Sequence, residues 1–574
     1  PAAAPDSPGA AALEQSPERP RAPGWLGGLR CLRAVLPPNF RREAVELAVL
    51  AGPVFLAQLM IFLISLVSSI FCGHLGKVEL DAVTLAVTVV NVTGIAVGTG
   101  LASACDTLMS QSFGAKNLKR VGIILQRGIL ILALCCFPCW AIFVNTERIL
   151  LLLRQDPEVS RIAQVYVMIF IPALPAAFVF QLQTRYLQSQ GIIMPQVLTG
   201  IAANIINVGM NALLLYALDL GVVGSAWANT TSQFLLSALL FVYMWWKKMH
   251  VKTWGGWTRE CFQEWDSFIR LAVPSMFMVC IEWWTFEIGT FLAGLIDVTE
   301  LGTQGIIYEL ASVAYLVPLG FGVAASVRVG NALGAGDVEQ ARCSCTTVIL
   351  CAGVCALVLG LLLAALKDVV AYVFTSDKEI IDLASQVMPL FAPFHLFDAL
   401  AGTCGGVLRG TGKQKIGAIL NAIGYYVFGF PIGISLMFAA KLGIIATGLW
   451  SGLIVCVFFQ ALFYLVYILR INWNRVAEQA QVRAGLKGTK EPIPTPTDLP
   501  ILGREGAEGV VLPDIIRPET QTLQLMVLEE NSQNTVSTVG DVLTLRQLIF
   551  YRGTALVLAM AVLVAGILIR VLSD

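Results

Sequence analysis

The sequence predicts an all-α polytopic membrane protein. It is built as two parallel six-helix bundles related by a pseudo-two-fold axis along the membrane normal, with a C-terminal thirteenth transmembrane helix. Three observations carry this expectation. Hydrophobic residues make up 57% of the chain and charged ones 13%, and the mean hydropathy of +0.75 lies far outside the soluble range. Apolar runs of about twenty residues or more, enough to cross a bilayer at about 1.5 Å per residue, follow one another with short polar breaks. Short motifs also recur in register about 220 residues apart.

Taken in order, residues 1–44 are rich in Pro and Ala and then basic, and are expected to form a cytoplasmic tail with no removable signal. Six apolar runs at 45–71, 80–110, 121–144, 160–186, 192–217 and 221–246 form a first lobe, 45–247. A cytoplasmic linker, 248–267, leads to a second lobe, 268–470, with runs at 268–295, 302–332, 343–366, 380–408, 414–439 and 442–469. Internal prolines, among them Pro53, Pro172, Pro175, Pro274 and Pro318, leave carbonyls without their helical donors, so bent helices are expected. Residues 471–547 are polar and Pro/Gly-bearing and are expected to be a disordered cytoplasmic segment. Residues 548–574 hold the thirteenth helix, apolar from Gly553 to Ile569, which would leave the carboxyl end outside.

Charge sets the orientation. Arg30, Arg33, Arg41 and Arg42 precede the first run, Lys116, Lys119 and Arg120 follow the second, Lys247, Lys248 and Lys252 follow the sixth, and Arg409, Lys413 and Lys415 follow the tenth. The positive-inside rule therefore places the amino terminus in the cytoplasm. The formal net charge of zero excludes a simple basic nucleic-acid binder. The cysteines sit mostly inside apolar runs, as small hydrophobes, with no His partners at ligand spacing, so no metal site is expected.

The repeat has four matches: Leu50-Ala51-Gly52-Pro53 with Leu271-Ala272-Val273-Pro274, Ser110 to Ala115 with Gly330 to Ala335, Asp156 to Val159 with Asp377 to Ile380, and Leu187 to Gly191 with Leu408 to Gly412. Each half holds an even number of helices, so the halves enter the membrane from the same side, and a substrate site is expected near mid-membrane at their interface. Such architecture moves solutes by alternating access. Asn331 to Asp337 is expected to be a helix C-cap rather than a phosphate loop, because no strand precedes it and no Gly-Lys-Ser/Thr follows.

Carboxylates at membrane depth mark the functional candidates, since each costs about 2.5 to 3.5 kcal/mol to insert and survives where it faces a cavity or a partner. Glu282 lies near the middle of the seventh run, and Glu287 is turned roughly 140° from it around the helix, so the two cannot share one spot. Glu309 in the eighth run matches Glu287 in depth, and Asp398 in the tenth matches Glu282. No run of buried Lys or Arg stands ready to pair them. A carboxylate far from water is neutralised by either a proton or a cation, and that competition is a physical basis for exchange. Trp283, Trp284, Phe286, Tyr308 and Tyr315 could give cation–π surface to bulky organic cations. Gln58, Asn91 and His395 are further candidates for the cavity wall. First-half acids such as Glu46 and Asp106 fall near helix ends, where interfacial solvation is the expected answer.

With these halves, the pattern from Pro53 through Val67 to Gly73, the paired Gly-Ala turns and Val407 to Gly412, residues 45–470 resemble the multidrug and toxin extrusion family. The tail, the extra helix and Glu282-Trp283-Trp284 resemble its vertebrate members, proton-coupled organic cation exporters of kidney and liver apical membranes. The resemblance implies exchange of an incoming proton for outgoing cationic drugs and metabolites, with Glu282, Glu287, Glu309 and the tenth-helix acid essential. It also implies no cofactor beyond the proton, location in the apical plasma membrane of epithelial cells, and a monomer. Sodium coupling, or a lipid-linked or zwitterionic substrate on the same fold, is the alternative. Two positions depart from the family: Ser68 stands where many prokaryotic relatives carry Asp, and Asp398 where the vertebrate pattern has Glu.

Overall fold

The structure is a computed structural model that describes residue 33 and residues 36–294, 298–373, 378–439, 448–486 and 541–574. All regular structure among these residues is helical. The first lobe contains α1 (Phe40–Gly73), α2 (Val78–Gly114), α3 (Leu118–Val144), α4, α5 (Met194–Ala217) and α6 (Val222–Trp246). α4 is broken into Pro157–Phe170 and Ala173–Ser189, bent by 56°. The break falls at Pro172, one of the prolines that predict it. The second lobe contains α7 (Trp265–Gly294), α8 (Val298–Gly334), α9 (Val338–Ala365), α10 (Lys378–Thr411), α11 (Gln414–Ile434) and α12 (Leu449–Arg470). α13 (Trp473–Arg483) and α14 (Leu545–Ser573) complete the chain.

Eleven of these helices are long and apolar enough to cross a membrane, and the bent pair makes twelve among the described residues. α6 occupies the remaining position of the predicted thirteen; its 25 residues carry no charge, but Ser, Thr, Asn, Gln and Gly dilute its hydropathy. Most helices run a few residues past the apolar runs because the backbone ladder continues into the polar interface, where side chains can be charged. Two stretches depart further from expectation. Residues 471–547 are not wholly without structure: α13 is a helix, and α14 begins at Leu545. The reason is an apolar edge on α13, described below, which composition alone conceals. Residues 487–540 lie outside the described residues.

The linker is not a free tether. Gln126 Nε2 donates to Gly256 O at 2.8 Å, Lys119 Nζ reaches Val251 O and Trp254 O, and the Thr253 side chain bonds Tyr186. Glu264, at its end, binds Arg120 at 2.8 Å and Arg127 at 3.0 Å, all three side chains nearly enclosed. The linker is thus part of the first lobe. α14 packs on α3 of that lobe: Asn145 Nδ2 donates to Gly566 O at 3.0 Å and Arg570 Nη1 to Val144 O at 3.1 Å.

The repeat is visible in the packing. Glu264 has its counterpart about 220 residues earlier in Glu43, which binds Arg328 through two hydrogen bonds of 3.1 and 2.7 Å and also accepts from Gln340 and Ser344. Arg328 lies on α8 and the other two on α9, so the foot of α1 is fastened to the second lobe. The foot of α7 is fastened to the first. The apolar cores agree: Leu47 and Ala51 of α1 belong to the core around Ala324, Val348 and Val407, whereas Ile64 and Cys72 belong to the first lobe's core. Trp265, Phe268 and Ala272 of α7 lie in the first lobe's core, and Met278 and Ile281 in the second lobe's. Each helix changes lobes close to a proline, Pro53 in α1 and Pro274 in α7.

The lobes meet along two seams, α2 on α7 and α1 on α8. Both need a glycine. A Cβ at Gly100 would strike the backbone of Met276, and one at Gly320 would lie 2.8 Å from Ala51 O. On the axis itself, the basic ends of α2 and α8 cross: Gly114 lies against the backbone of Asn331, and Gly334 against that of Gln111. This contact maps onto itself under the repeat, so the pseudo-two-fold axis passes through it.

Candidate functional site

Both Gly-Ala turns are helix C-caps. Asn117 N donates to Ser112 O at 3.1 Å and Asp337 N to Ala332 O at 2.9 Å, each bond closing the last turn of its helix. They are also where the lobes touch. Around them lies a polar closure on the face that carries Lys119, Lys247 and Lys413, called here the basic face.

Thr107 Oγ1 donates to Arg409 O, and Gln111 Nε2 to Gly410 O at 3.0 Å, so α2 satisfies carbonyls that the C-terminal end of α10 leaves without helical partners. Gln414 Nε2 bonds Thr107 Oγ1 at 2.5 Å. Asp106 lies 2.5 Å from Arg185 of its own lobe and 3.8 Å from Arg409 of the other. Interfacial solvation is therefore not how Asp106 is accommodated. Its side chain is 12% exposed, and two cations balance it. Glu46 stays partly exposed, as expected at an interface, and also pairs with Arg42 on its own helix at 3.2 Å and with Arg328 at 2.6 Å. Arg185, Arg409 and Arg328 are not discoverable from depth in the sequence, because they stand on other helices.

The four acids lie beyond this closure. At about 1.5 Å per residue, Glu282 and Asp398 are roughly 20 to 25 Å from the basic ends of their helices, and Glu287 and Glu309 roughly 33 to 38 Å. Glu282 and Asp398 thus share one depth, and Tyr315 of α8 lies against Gly402, one turn from Asp398 on α10. Glu287 follows Phe286 and Glu309 follows Tyr308 in the chain, and those two rings pack against each other. So the structure gathers the acids as an inner and an outer pair. Asp398 is 6% exposed; Glu282 and Glu287 are half-buried, and Glu309 is exposed. Among the described residues none of the four forms an ion pair with Lys or Arg.

The supporting residues divide. Phe286 packs on Tyr308, with ring centroids 5.9 Å apart, and edge-on against Phe394 at 6.2 Å, which ties α7, α8 and α10 together between the two acid pairs. His395 is buried and stacked 5.8 Å from Phe391, with Nε2 lacking a hydrogen-bond partner among the described residues. Trp283 is exposed, whereas Trp284 donates from Nε1 to Val92 O at 3.1 Å. Val92 lies in a π-helical turn, Asn91–Ile95. Such a turn loosens the regular ladder, which makes a carbonyl available to the indole. Among the described residues this is the one hydrogen bond between lobes outside the basic face. Asn91 is exposed at the head of the turn and Gln58 is half-buried in α1; neither bonds to an acid among the described residues.

The pattern that defines the MatE family matches residues 53–213 and 274–435, one match in each lobe. This chain belongs to the multidrug and toxin extrusion family. It is 80% identical over 562 residues to the mouse protein "Multidrug and toxin extrusion protein 2", with 98% of each chain covered. It is 54% identical to the human "Multidrug and toxin extrusion protein 1", covering 97% of this chain and 98% of that one. Among solved structures, the eukaryotic MATE transporter AtDTX14 superposes with a TM-score of 0.75 at 32% identity, covering 78% of this chain and 100% of that one. The chain is a multi-span transporter of the multidrug and toxin extrusion type. Around the turns its MATE lobes meet through backbone contacts and hydrogen bonds, beside the apolar feet of α1 and α7 that each lobe holds from the other. Polar contacts of that kind can be exchanged for water when the lobes part.

Proposed function

We propose that this transporter exports small organic cations in exchange for protons, by alternating access across the plasma membrane. The observation that carries the reading is the set Glu282, Asp398, Glu287 and Glu309: two acid pairs in one lobe, without basic ion-pair partners among the described residues, beyond a closed basic face. A proton or a cation can neutralise each pair, but the two compete, so loading one displaces the other. Trp283, Phe286 and Tyr308 offer aromatic faces to a cation beside the acids, and His395, Gln58 and Asn91 are polar candidates for the wall. The excess of Lys and Arg on the basic face supports a cytoplasmic placement for it and for the amino terminus. The family resemblance supports the apical epithelial membrane and a monomer.

The test is uptake of a labelled organic cation into vesicles holding the purified protein, driven by an opposed pH gradient with sodium absent. Uptake that tracks the proton gradient is expected. Uptake that follows only an imposed sodium gradient would replace the proton with sodium.

A further inference from the structure

The segment after the twelfth span has no part in the reading above, yet it crosses the line along which the lobes meet. α13 starts just after α12, capped by the Asn472 side chain, which accepts from Arg475 N at 3.2 Å. Its apolar edge, Trp473, Val476, Ala477 and Ala480, follows helical spacing and is buried in the second lobe's core. Two polar contacts add to this attachment: Lys413 Nζ to Gln479 Oε1 at 3.1 Å, and Arg483 Nη1 to Thr411 O at 3.5 Å. Gly336 and Gly412, both at positive φ, make room for it; a Cβ at either would collide with the Gln481 amide or the Arg483 guanidinium. Toward the first lobe the attachment is slight. α13 touches the basic end of α2, and Asn117 Nδ2 donates to Ala484 O at 3.0 Å.

Asn117 is the N-cap residue of α3, a position where an Asn side chain ordinarily accepts from its own helix. It makes no such cap bond. Its counterpart in the repeat, Asp337, does, accepting from Gln340 N at 3.1 Å. In the first lobe that capping role is given up, and the side chain holds the end of α13 instead.

We propose that α13 is a latch: it travels with the second lobe, and its carboxyl end must release Asn117 of the first lobe each time the basic face opens. The inference rests on alternating access as read above. Among the described residues, four buried apolar side chains hold α13 to one lobe, and one neutral hydrogen bond with a smaller contact holds it to the other. Separation therefore occurs at Asn117.

The test uses the full-length protein in vesicles, with Cys31 and the cysteines that are not fully buried, Cys135, Cys343, Cys351 and Cys355, changed to Ala. One variant carries Asn117→Cys with Ala484→Cys, and a control carries Lys413→Cys with Gln479→Cys. Each is closed with a short reducible thiol cross-linker, and exchange is compared before linking, after linking and after reduction. The 117–484 link is expected to cut exchange at least tenfold, with recovery on reduction, and the 413–479 link to leave it within twofold. Undiminished exchange with positions 117 and 484 joined would overturn the latch. Equal arrest by the control link would also overturn it, because α13 would then not ride with the second lobe. The unlinked variants report first which ion gradient drives exchange, so a failure of proton coupling is seen separately, and the linked-to-unlinked ratio is taken with the ion that works.

Discussion

Asp106 sits between guanidinium groups of different lobes, Arg185 at 2.5 Å and Arg409 at 3.8 Å. Replacing it with Asn would leave two largely enclosed cations with no negative charge between them. Removing one member of a buried ion pair costs about 3 to 5 kcal/mol, and the partial exposure here puts the expected loss toward the lower end. Asp106→Asn should therefore lower the thermal unfolding midpoint of the purified protein by several degrees; an unchanged midpoint would show that the pair contributes nothing net. Glu282 predicts the opposite separation of effects. It has no ion-pair partner among the described residues to strand, so Glu282→Gln should keep the unfolding midpoint close to that of the parent while abolishing proton-driven exchange. Normal exchange by that variant would remove Glu282 from the mechanism. The contrast also explains what could be read from sequence. Depth alone singles out Glu282, Glu287, Glu309 and Asp398, whereas Asp106 is understood only through partners 79 and about 300 residues away.

At the scale of elements, the crossing of α2 and α8 depends on the absence of side chains. A Cβ at Gly114 would lie against the carbonyl of Asn331, and a backbone atom cannot swing aside as a side-chain tip can. Overpacking of this kind costs about 1 to 3 kcal/mol. It would fall on the closed basic face, so Gly114→Ala is expected to increase modification of a cysteine placed at Gln414 by a reagent added from that face; unchanged reactivity would show that the crossing can yield. The linker predicts a pH effect. Glu260 lies in the short 3₁₀ turn Arg259–Phe262, and burial raises its carboxyl above the ordinary value of 4.5, although Arg127 and Arg120 pull it down. A raised folded value means that the folded protein binds this proton more tightly than the unfolded chain, so stability declines as pH rises from about 4.5 through the folded value. Glu260→Gln should raise the unfolding midpoint at pH 7.5, and the gain should vanish as pH approaches 4.5. A gain that persists at low pH would point to packing instead. α13 shows why elements can escape a sequence reading: Arg, Glu, Gln and Asn dominate its composition, so it resembles the polar segment that follows. Only the spacing of Trp473, Val476, Ala477 and Ala480 reveals the buried edge.

For the whole molecule, the motif repeat indicated two lobes and an axis, but not that α1 and α7 would exchange their feet. That exchange depends on Glu43 and Glu264, each of which looks like an ordinary interfacial acid until its partners in space are known. With the feet fastened across the interface, the lobes cannot turn as rigid bodies unless α1 and α7 deform where they change lobes. The prolines stand at those places. Pro53 deprives the Val49 carbonyl of its helical donor and Pro274 does the same at Arg270, so bending there breaks no hydrogen bond that an unbroken helix would have made. Restoring the missing donor should therefore act on stability and rate in opposite directions. Proline inside a helix is about 3 kcal/mol less favourable than alanine, so Pro53→Ala and Pro274→Ala should each hold or raise the unfolding midpoint. Each should also slow maximal exchange by at least threefold, and by similar factors, because the two positions are counterparts in the repeat. Slowing at one position alone would mean that only one seam bends during transport. Unchanged exchange in both variants would mean that the feet detach instead, and the Glu43 and Glu264 ion pairs, rather than the prolines, would then limit how fast the basic face opens.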